Sequence, residues 1–130
     1  MKLTNLEAIT LFVADPRISK AFYERVFEAQ KLFEDDNSVA FSFECAVINL
    51  LALSAAPELI SPASVAAEDG GSSAQITIAV DDVDATCAEL EDKGVVLLNG
   101  PMDRPWGIRT ASFSDPDGHV WEIAASLPKS

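Results

Sequence analysis

The chain has 130 residues, of which 48% are apolar, enough for one compact domain or for two small halves that share a core. Its 21 acidic and 9 basic residues give a formal net charge of -12, which repels phosphate backbones and anionic membrane surfaces. We therefore expect neither a nucleic-acid nor a membrane partner. Thr10 and Asp15 interrupt the N-terminal apolar run, which is too short for a secretory signal or a membrane span. The cytoplasm is thus the expected location.

Two segments of similar sequence lie 67 residues apart, ITLFVAD at 9–15 and ITIAVDD at 76–82. Alternate aliphatic residues predict that each is a strand with one face against helices. The other face then carries Ala8, Thr10 and Phe12 in the first copy and Gln75, Thr77 and Ala79 in the second. Asp15 and Asp82 are suited to cap a helix after each strand, and Gly94 is placed to end the second helix in a left-handed conformation.

Three β-like runs follow each predicted helix. They are KLFED, VAFSF and AVINLLAL in the first half, and GVVLLNG, IRTASFS and HVWEIAA in the second. The sequence therefore predicts an α+β fold of two βαβββ modules, at about 5–54 and about 74–126 of the 130 residues. Residues 55–73 are rich in Pro, Ser, Ala and Gly and are interpreted as a linker, compatible with a short helical turn. Each module alone would expose an apolar sheet face, so the two are expected to share a core or to pair with a second chain.

The DPDG segment at 115–118 predicts a tight turn between the last two strands. As a four-residue hairpin loop it would place Ala111 opposite Glu122, so that Arg109, Ala111 and Phe113 share the face of Glu122. A shift of one residue would reverse this assignment. His119 lies three positions from Glu122, and an odd separation places the two side chains on opposite faces of a strand. His119 is therefore not expected to join Glu122 in a site.

The paired modules carry motifs that resemble one known superfamily. FYERVF on the first helix, PWGIR at 105–109 and SDPDGHVWEI in the last hairpin resemble the vicinal oxygen chelate superfamily of glyoxalases, bleomycin-resistance proteins and extradiol dioxygenases. This resemblance implies one domain over residues 1–130, with curled mixed sheets that form an open, barrel-like cup and helices outside. It further implies a homodimer and, in catalytic members, a divalent metal bound by the first and fourth strands of each module.

The four ligand positions that the resemblance implies fall on Ala8, Leu50, Gln75 and Glu122. Alanine and leucine cannot bind a metal, and Asn49 beside Leu50 is assigned to the opposite face by strand parity. Gln75 and Glu122 alone would hold a hard dication weakly. We therefore expect no tightly bound metal. If one is present, Gln75 and Glu122 are the expected ligands of Ni, Mn, Zn or Fe.

The first functional hypothesis is a protein that binds a small apolar or aromatic organic molecule in the cup without a metal. The expected lining residues are Thr10, Phe12, Leu50, Gln75, Thr77, Trp106, Arg109, Phe113 and Glu122. Trp106, on a turn, would be a lid over the cavity or part of a subunit contact. Arg109 would pair with Glu122 or stay available for an anionic ligand.

Two other hypotheses stay open. One is a divalent-metal-dependent lyase, isomerase or dioxygenase of the glyoxalase type, in which Glu122 is both metal ligand and catalytic base. The other is an oligomerisation module without a ligand. The sequence also has two cysteines, Cys45 and Cys87, in no metal-ligand spacing, and both are interpreted as small buried or half-buried thiols.

Overall fold

The structure, a computed structural model, describes residues 1–128. The chain divides into two compact units, residues 1–70 and residues 71 onward, and each contains a four-stranded sheet. The first has β1 (Ala8–Val13), α1 (Pro16–Phe27), β2 (Gln30–Glu34), β3 (Ser38–Ser42), β4 (Val47–Ala52) and α2 (Ala56–Ile60). The second has β5 (Gln75–Ala79), α3 (Val83–Asp92), β6 (Asn99–Asp103), β7 (Ile108–Ser114) and β8 (Val120–Ser126). The predicted α+β class and the βαβββ order of both modules are confirmed.

The sheet of the first module has the strand order β1-β4-β3-β2. β4 is parallel to β1, while β3 is antiparallel to both β4 and β2. Asp15 caps α1 as predicted, because its carboxylate accepts a hydrogen bond from the Arg17 backbone N–H at 3.0 Å. Pro16 follows at the first helical position, where its missing N–H costs nothing.

One face of this sheet packs against α1, and we call it the helix face of the first module. It carries Val13, Phe41 and Leu50, which are fully buried. Tyr23 of α1 stacks on Phe41 with ring centroids 6.0 Å apart. Burying side chains of this size contributes about 1.5–3 kcal/mol each, so this face holds the core of the module. The opposite face is the far face.

The second module repeats this arrangement with the order β5-β8-β7-β6 and a parallel β5–β8 pair. Asp82 caps α3 by accepting from the Ala85 backbone N–H at 3.0 Å. Trp121 and Ile123 of β8 are buried on the helix face of this sheet, as predicted for Trp121.

The predicted strand GVVLLNG is displaced along the chain, because its first residues close the end of α3. Gly94 is left-handed, with φ 85°, as the sequence predicted. The Gly94 N–H donates to the Glu91 carbonyl at 3.0 Å, and the Val95 N–H donates to the Leu90 carbonyl at 2.9 Å. These two hydrogen bonds define a Schellman motif. Val95 is buried in this role, and the strand begins only at Asn99.

The predicted linker contains the five-residue helix α2 within an otherwise irregular segment. No helix among residues 1–128 is both long enough and apolar enough to cross a membrane.

Candidate functional site

The β7–β8 hairpin has a register one residue away from the predicted one. The Asp115 N–H donates to the His119 carbonyl at 2.9 Å, so these two residues close a three-residue loop. Gly118 occupies its left-handed position with φ 86°, the geometry typical of three-residue hairpin loops. The Asp115 carboxylate accepts from the backbone N–H groups of Asp117 and His119, both at 2.9 Å. Ser112, not Ala111, therefore lies opposite Glu122.

This register places Arg109, Ala111 and Phe113 on the helix face, opposite to the face of Glu122, so the predicted sharing of one face was wrong. Arg109 donates to the two carboxylate oxygens of Asp84 on α3 at 3.0 and 3.2 Å and to Asp103 at 2.8 Å. Its hydrogen bonds to Asp84 and then Asp103 raise the pKa of the guanidinium above its usual value. Arg109 thus ties α3 to the sheet, and Phe113 is buried in the core.

Glu122 lies on the far face of the second module in direct contact with Thr77. The two residues are partners in the parallel β5–β8 pair, and the Thr77 hydroxyl donates to Glu122 Oε1 at 3.0 Å. Gln75 lies two residues before Thr77 on β5, on the same face, and is paired with Val120. Gln75 and Thr77 are exposed and Glu122 is half-buried. This face therefore presents a carboxylate whose second oxygen can accept a hydrogen bond from a ligand.

Arg104, which the sequence analysis did not select, is a basic residue on this far face. Its Nε donates to Thr110 Oγ1 at 3.0 Å and its Nη2 lies 3.4 Å from Asn99 Oδ1. Thr110 and Asn99 are on the face of Glu122 by strand register. The Arg104 guanidinium also lies 5.9 Å from the ring centroid of Trp106.

A short turn places Arg104 and Trp106 together. The Gly107 N–H donates to the Arg104 carbonyl at 3.1 Å, and the Arg104 N–H donates to the Ile108 carbonyl at 2.7 Å. Pro105 occupies the second turn position, which suits its fixed φ. The signal that could have found Arg104 is this RPWG turn, since residues at the base of a tight hairpin lie beside the next strand.

The first module requires a matching correction at Leu50. Leu50 lies opposite Leu11 and faces α1, whereas Asn49 lies opposite Thr10. Asn49 is therefore the structural counterpart of Glu122, and Thr10 that of Thr77. Leu50 is fully buried in the core, so the placement that suggested it as a lining residue was wrong. Phe12, opposite Leu51, stays on the far face as predicted.

The donor set does not fit a closed divalent-metal site. Across residues 1–128, no group of three or more His, Cys, Asp and Glu side chains is placed to hold a metal ion. In the second module the carboxylate of Glu122 is already bonded to Thr77, and Gln75 offers only a neutral amide. Divalent cations with oxygen ligands prefer more numerous and more negative donors.

Comparison with known families agrees with the fold. The model of the Glyoxalase/Bleomycin resistance protein/Dioxygenase superfamily matches residues 5–123, so the chain belongs to this family and the resemblance of its motifs is confirmed.

Individual relatives share the fold at low identity. A glyoxalase/bleomycin resistance protein/dioxygenase from Nocardioides superposes with a TM-score of 0.88 at 20% identity, over 100% of this chain and 87% of that one. An integron cassette protein from the mobile metagenome of V. cholerae has a TM-score of 0.73 at 29% identity, over 96% and 97%. The uncharacterized protein YraH of Bacillus subtilis (strain 168) is 47% identical over 49 residues, which are 37% of this chain and 38% of that protein. The chain thus matches less than half the length of this curated relative.

Proposed function

We propose that the chain binds a small organic molecule on the far face of its second module and does so without a tightly bound metal. The observation that carries this proposal is the Thr77–Glu122 pair, a hydrogen-bonded hydroxyl and carboxylate at 3.0 Å on a sheet face turned away from its helix. A partly exposed carboxylate held in one orientation by a neighbour is suited to orient a ligand, because the side chain loses little further conformational entropy when the ligand binds.

The side chains of this face also indicate which kind of ligand fits. Gln75, Thr77 and Glu122 offer an amide, a hydroxyl and a carboxylate, while Met102 of β6 lies opposite Thr110 and adds an apolar contact. A ligand that donates hydrogen bonds and has some apolar surface matches this set better than the purely apolar molecule expected from the sequence. Phe113 and Leu50, on which that expectation depended, belong to the core.

The direct test combines metal analysis with thermal-shift screening. Untagged protein is analysed for bound metal and then heated with Ni, Mn, Zn and Fe(II), and separately with a library of small organic compounds. The expected result is less than stoichiometric metal, no shift with metals, and organic compounds whose shifts are lost in Glu122→Gln and reduced in Thr77→Val.

Glu89→Gln is the matched control, because it changes an exposed glutamate on α3 by the same chemistry and should leave every shift intact. Stoichiometric metal that disappears in Glu122→Gln would overturn the proposal. It would favour the metal-dependent lyase, isomerase or dioxygenase alternative, in which Glu122 is a ligand. Compound shifts that persist in Glu122→Gln would show binding somewhere else.

A further inference from the structure

The proposed binding face contains an arginine, Arg104, that has no acidic partner among the residues that the structure describes. Arg17, Lys20, Lys31 and Arg109 each have a carboxylate oxygen within 3.4 Å. Among the residues that the structure describes, Arg104 forms no ion pair although the chain has 21 acidic residues. Its positive charge is therefore not neutralised by the protein.

Arg104 is nevertheless held in place. It is half-buried, and its two hydrogen bonds, to Thr110 and Asn99, are both to neutral side chains. These bonds use Nε–H and one N–H of Nη2, and a guanidinium has five N–H groups in a plane. The remaining N–H groups of Nη1 and Nη2 form an edge that matches the two oxygens of a carboxylate. The side chain is thus oriented before any anion arrives.

Trp106 adds a flat apolar surface to this charge. The guanidinium carbon Cζ of Arg104 lies over the indole, 5.9 Å from the ring centroid, yet 67% of Trp106 is exposed. An exposed indole on a tight turn is suited to stack on a planar group. The backbone of the turn is also fixed at its far side, because the Leu127 N–H donates to the Gly107 carbonyl at 3.0 Å.

The strand register relates this pair to Glu122. Arg104 bonds to Thr110, whereas Glu122 lies opposite Ser112, and residues two apart on one strand face are separated by about 7 Å. Both side chains extend beyond these backbone positions on the same sheet face, so one small molecule with a polar group at each end can form a hydrogen bond to each.

We propose that Arg104 and Trp106 form a subsite for the carboxylate end of a planar organic acid, whose other end donates a hydrogen bond to Glu122. This proposal rests on the proposed function, since it names the ligand class for the same face. Arg104 pairs with the carboxylate, Trp106 stacks on the plane of the molecule, and Glu122 accepts from a hydroxyl or amino group. The formal net charge of the chain is -12, so this local cation favours the binding of an anionic ligand that the rest of the chain repels.

The test is calorimetric titration of the full chain with para-hydroxybenzoate and with its neutral analogue, para-hydroxybenzamide. We expect the acid to bind at least about tenfold more tightly than the amide, the size of one charge-assisted hydrogen-bonded pair. Arg104→Gln should remove this preference by weakening the acid alone, and Arg104→Lys should retain part of it. Trp106→Ala should weaken both compounds.

Arg17→Gln is the control for net charge, because it removes one positive charge from an exposed arginine of the first module and should change neither affinity. Equal affinities for acid and amide, with both lost in Glu122→Gln, would overturn the subsite and leave the proposed function standing. Tighter binding of phenyl phosphate than of the acid would also overturn the carboxylate assignment. If no organic compound binds, here or in the thermal-shift library, both proposals fail.

Discussion

Gly100 in β6 lies against the backbone of β7, and we predict that it tolerates no side chain. It has φ 84°, and a Cβ built there would overlap the Thr110 carbonyl oxygen and lie 2.8 Å from the Ala111 Cα. Both atoms belong to the backbone, so neither can move without shifting β7. Gly100→Ala should therefore be strongly destabilising.

Gly94 allows the size of this effect to be separated from backbone strain. It has nearly the same φ, 85°, but a Cβ there would meet nothing within 4 Å. A left-handed alanine costs about 1–2 kcal/mol at either position, while forced overlap in a packed region adds about 1–3 kcal/mol. We expect Gly94→Ala to lose only the first amount and Gly100→Ala to lose both, about 2–5 kcal/mol in total.

Urea unfolding followed by tryptophan fluorescence measures both variants, because Trp106 and Trp121 lie in the same module as the two glycines. Small domains have a free energy of unfolding of about 5–15 kcal/mol, so Gly94→Ala should keep a folded baseline, and loss of that baseline in Gly100→Ala alone would itself show the larger effect. Equal losses in the two variants would refute the reasoning, since they would mean that β6 does not approach β7 as closely as the structure shows.

Three further predictions follow from other parts of the chain. Phe113→Ala should lower the free energy of unfolding by about 3–5 kcal/mol, because the ring is buried on the helix face. Little change in urea unfolding would contradict the assignment of Phe113 to this core. The backbone hydrogen bond from Asn37, followed by bonds from Ser38, lowers the pKa of Asp35. Its contribution to stability is therefore present above about pH 4 and is lost as the pH falls through the lowered pKa. Asp35→Asn, which can keep the turn but does not titrate, should make urea unfolding less sensitive to acid, and an unchanged acid profile would contradict this. A colorimetric thiol reagent should react with the exposed Cys45 and not with Cys87 in native protein. Burial, then the nearby Asp84 and Glu91, raise the pKa of the Cys87 thiol; two reactive thiols should appear only in denaturant, and two in native protein would show that α3 opens.

Alternation along the strands was sufficient to predict the order of elements and the faces of β1 and β5. It worked there because aliphatic residues alternate with other residue types in both strands, so Leu11, Val13, Ile76 and Ile78 reveal the period of two directly. The caps at Asp15 and Asp82 depend only on three or four neighbouring residues, so the local sequence was sufficient to predict them.

The faces of β7 and β4 depend on information that alternation does not contain. In β7 the hairpin loop, with its left-handed Gly118, is one residue shorter than the predicted four-residue loop. Every side chain of β7 therefore lies on the face opposite to the predicted one. In β4 the run of apolar residues has no clear alternation, and its register is fixed by the pairing of Asn49 with Thr10 on one side and with Ala40 on the other. The ion pair of Arg109 with Asp84 joins residues 25 positions apart and is a tertiary contact that no local pattern indicates.

Cys45 differs from the sequence-based interpretation for a similar reason. Free cysteines are commonly buried, but Cys45 lies in the turn between β3 and β4, where the Phe43 N–H donates to the Ala46 carbonyl at 3.0 Å. The structure leaves Cys45 exposed. Cys87, on the buried side of α3, was interpreted correctly.

The two faces of β7 are both buried but differ in chemistry. Thr110 and Ser112 point to the same side as Arg104 and Glu122, while Ala111 and Phe113 alternate with them in the core. All four residues are buried, so bulky replacements on either face should be destabilising, whereas small polar replacements suit Thr110 and Ser112 and not Phe113. A mutant library for new binding specificities should therefore leave β7 unchanged and vary the exposed Gln75, Thr77 and Met102 on the same sheet face.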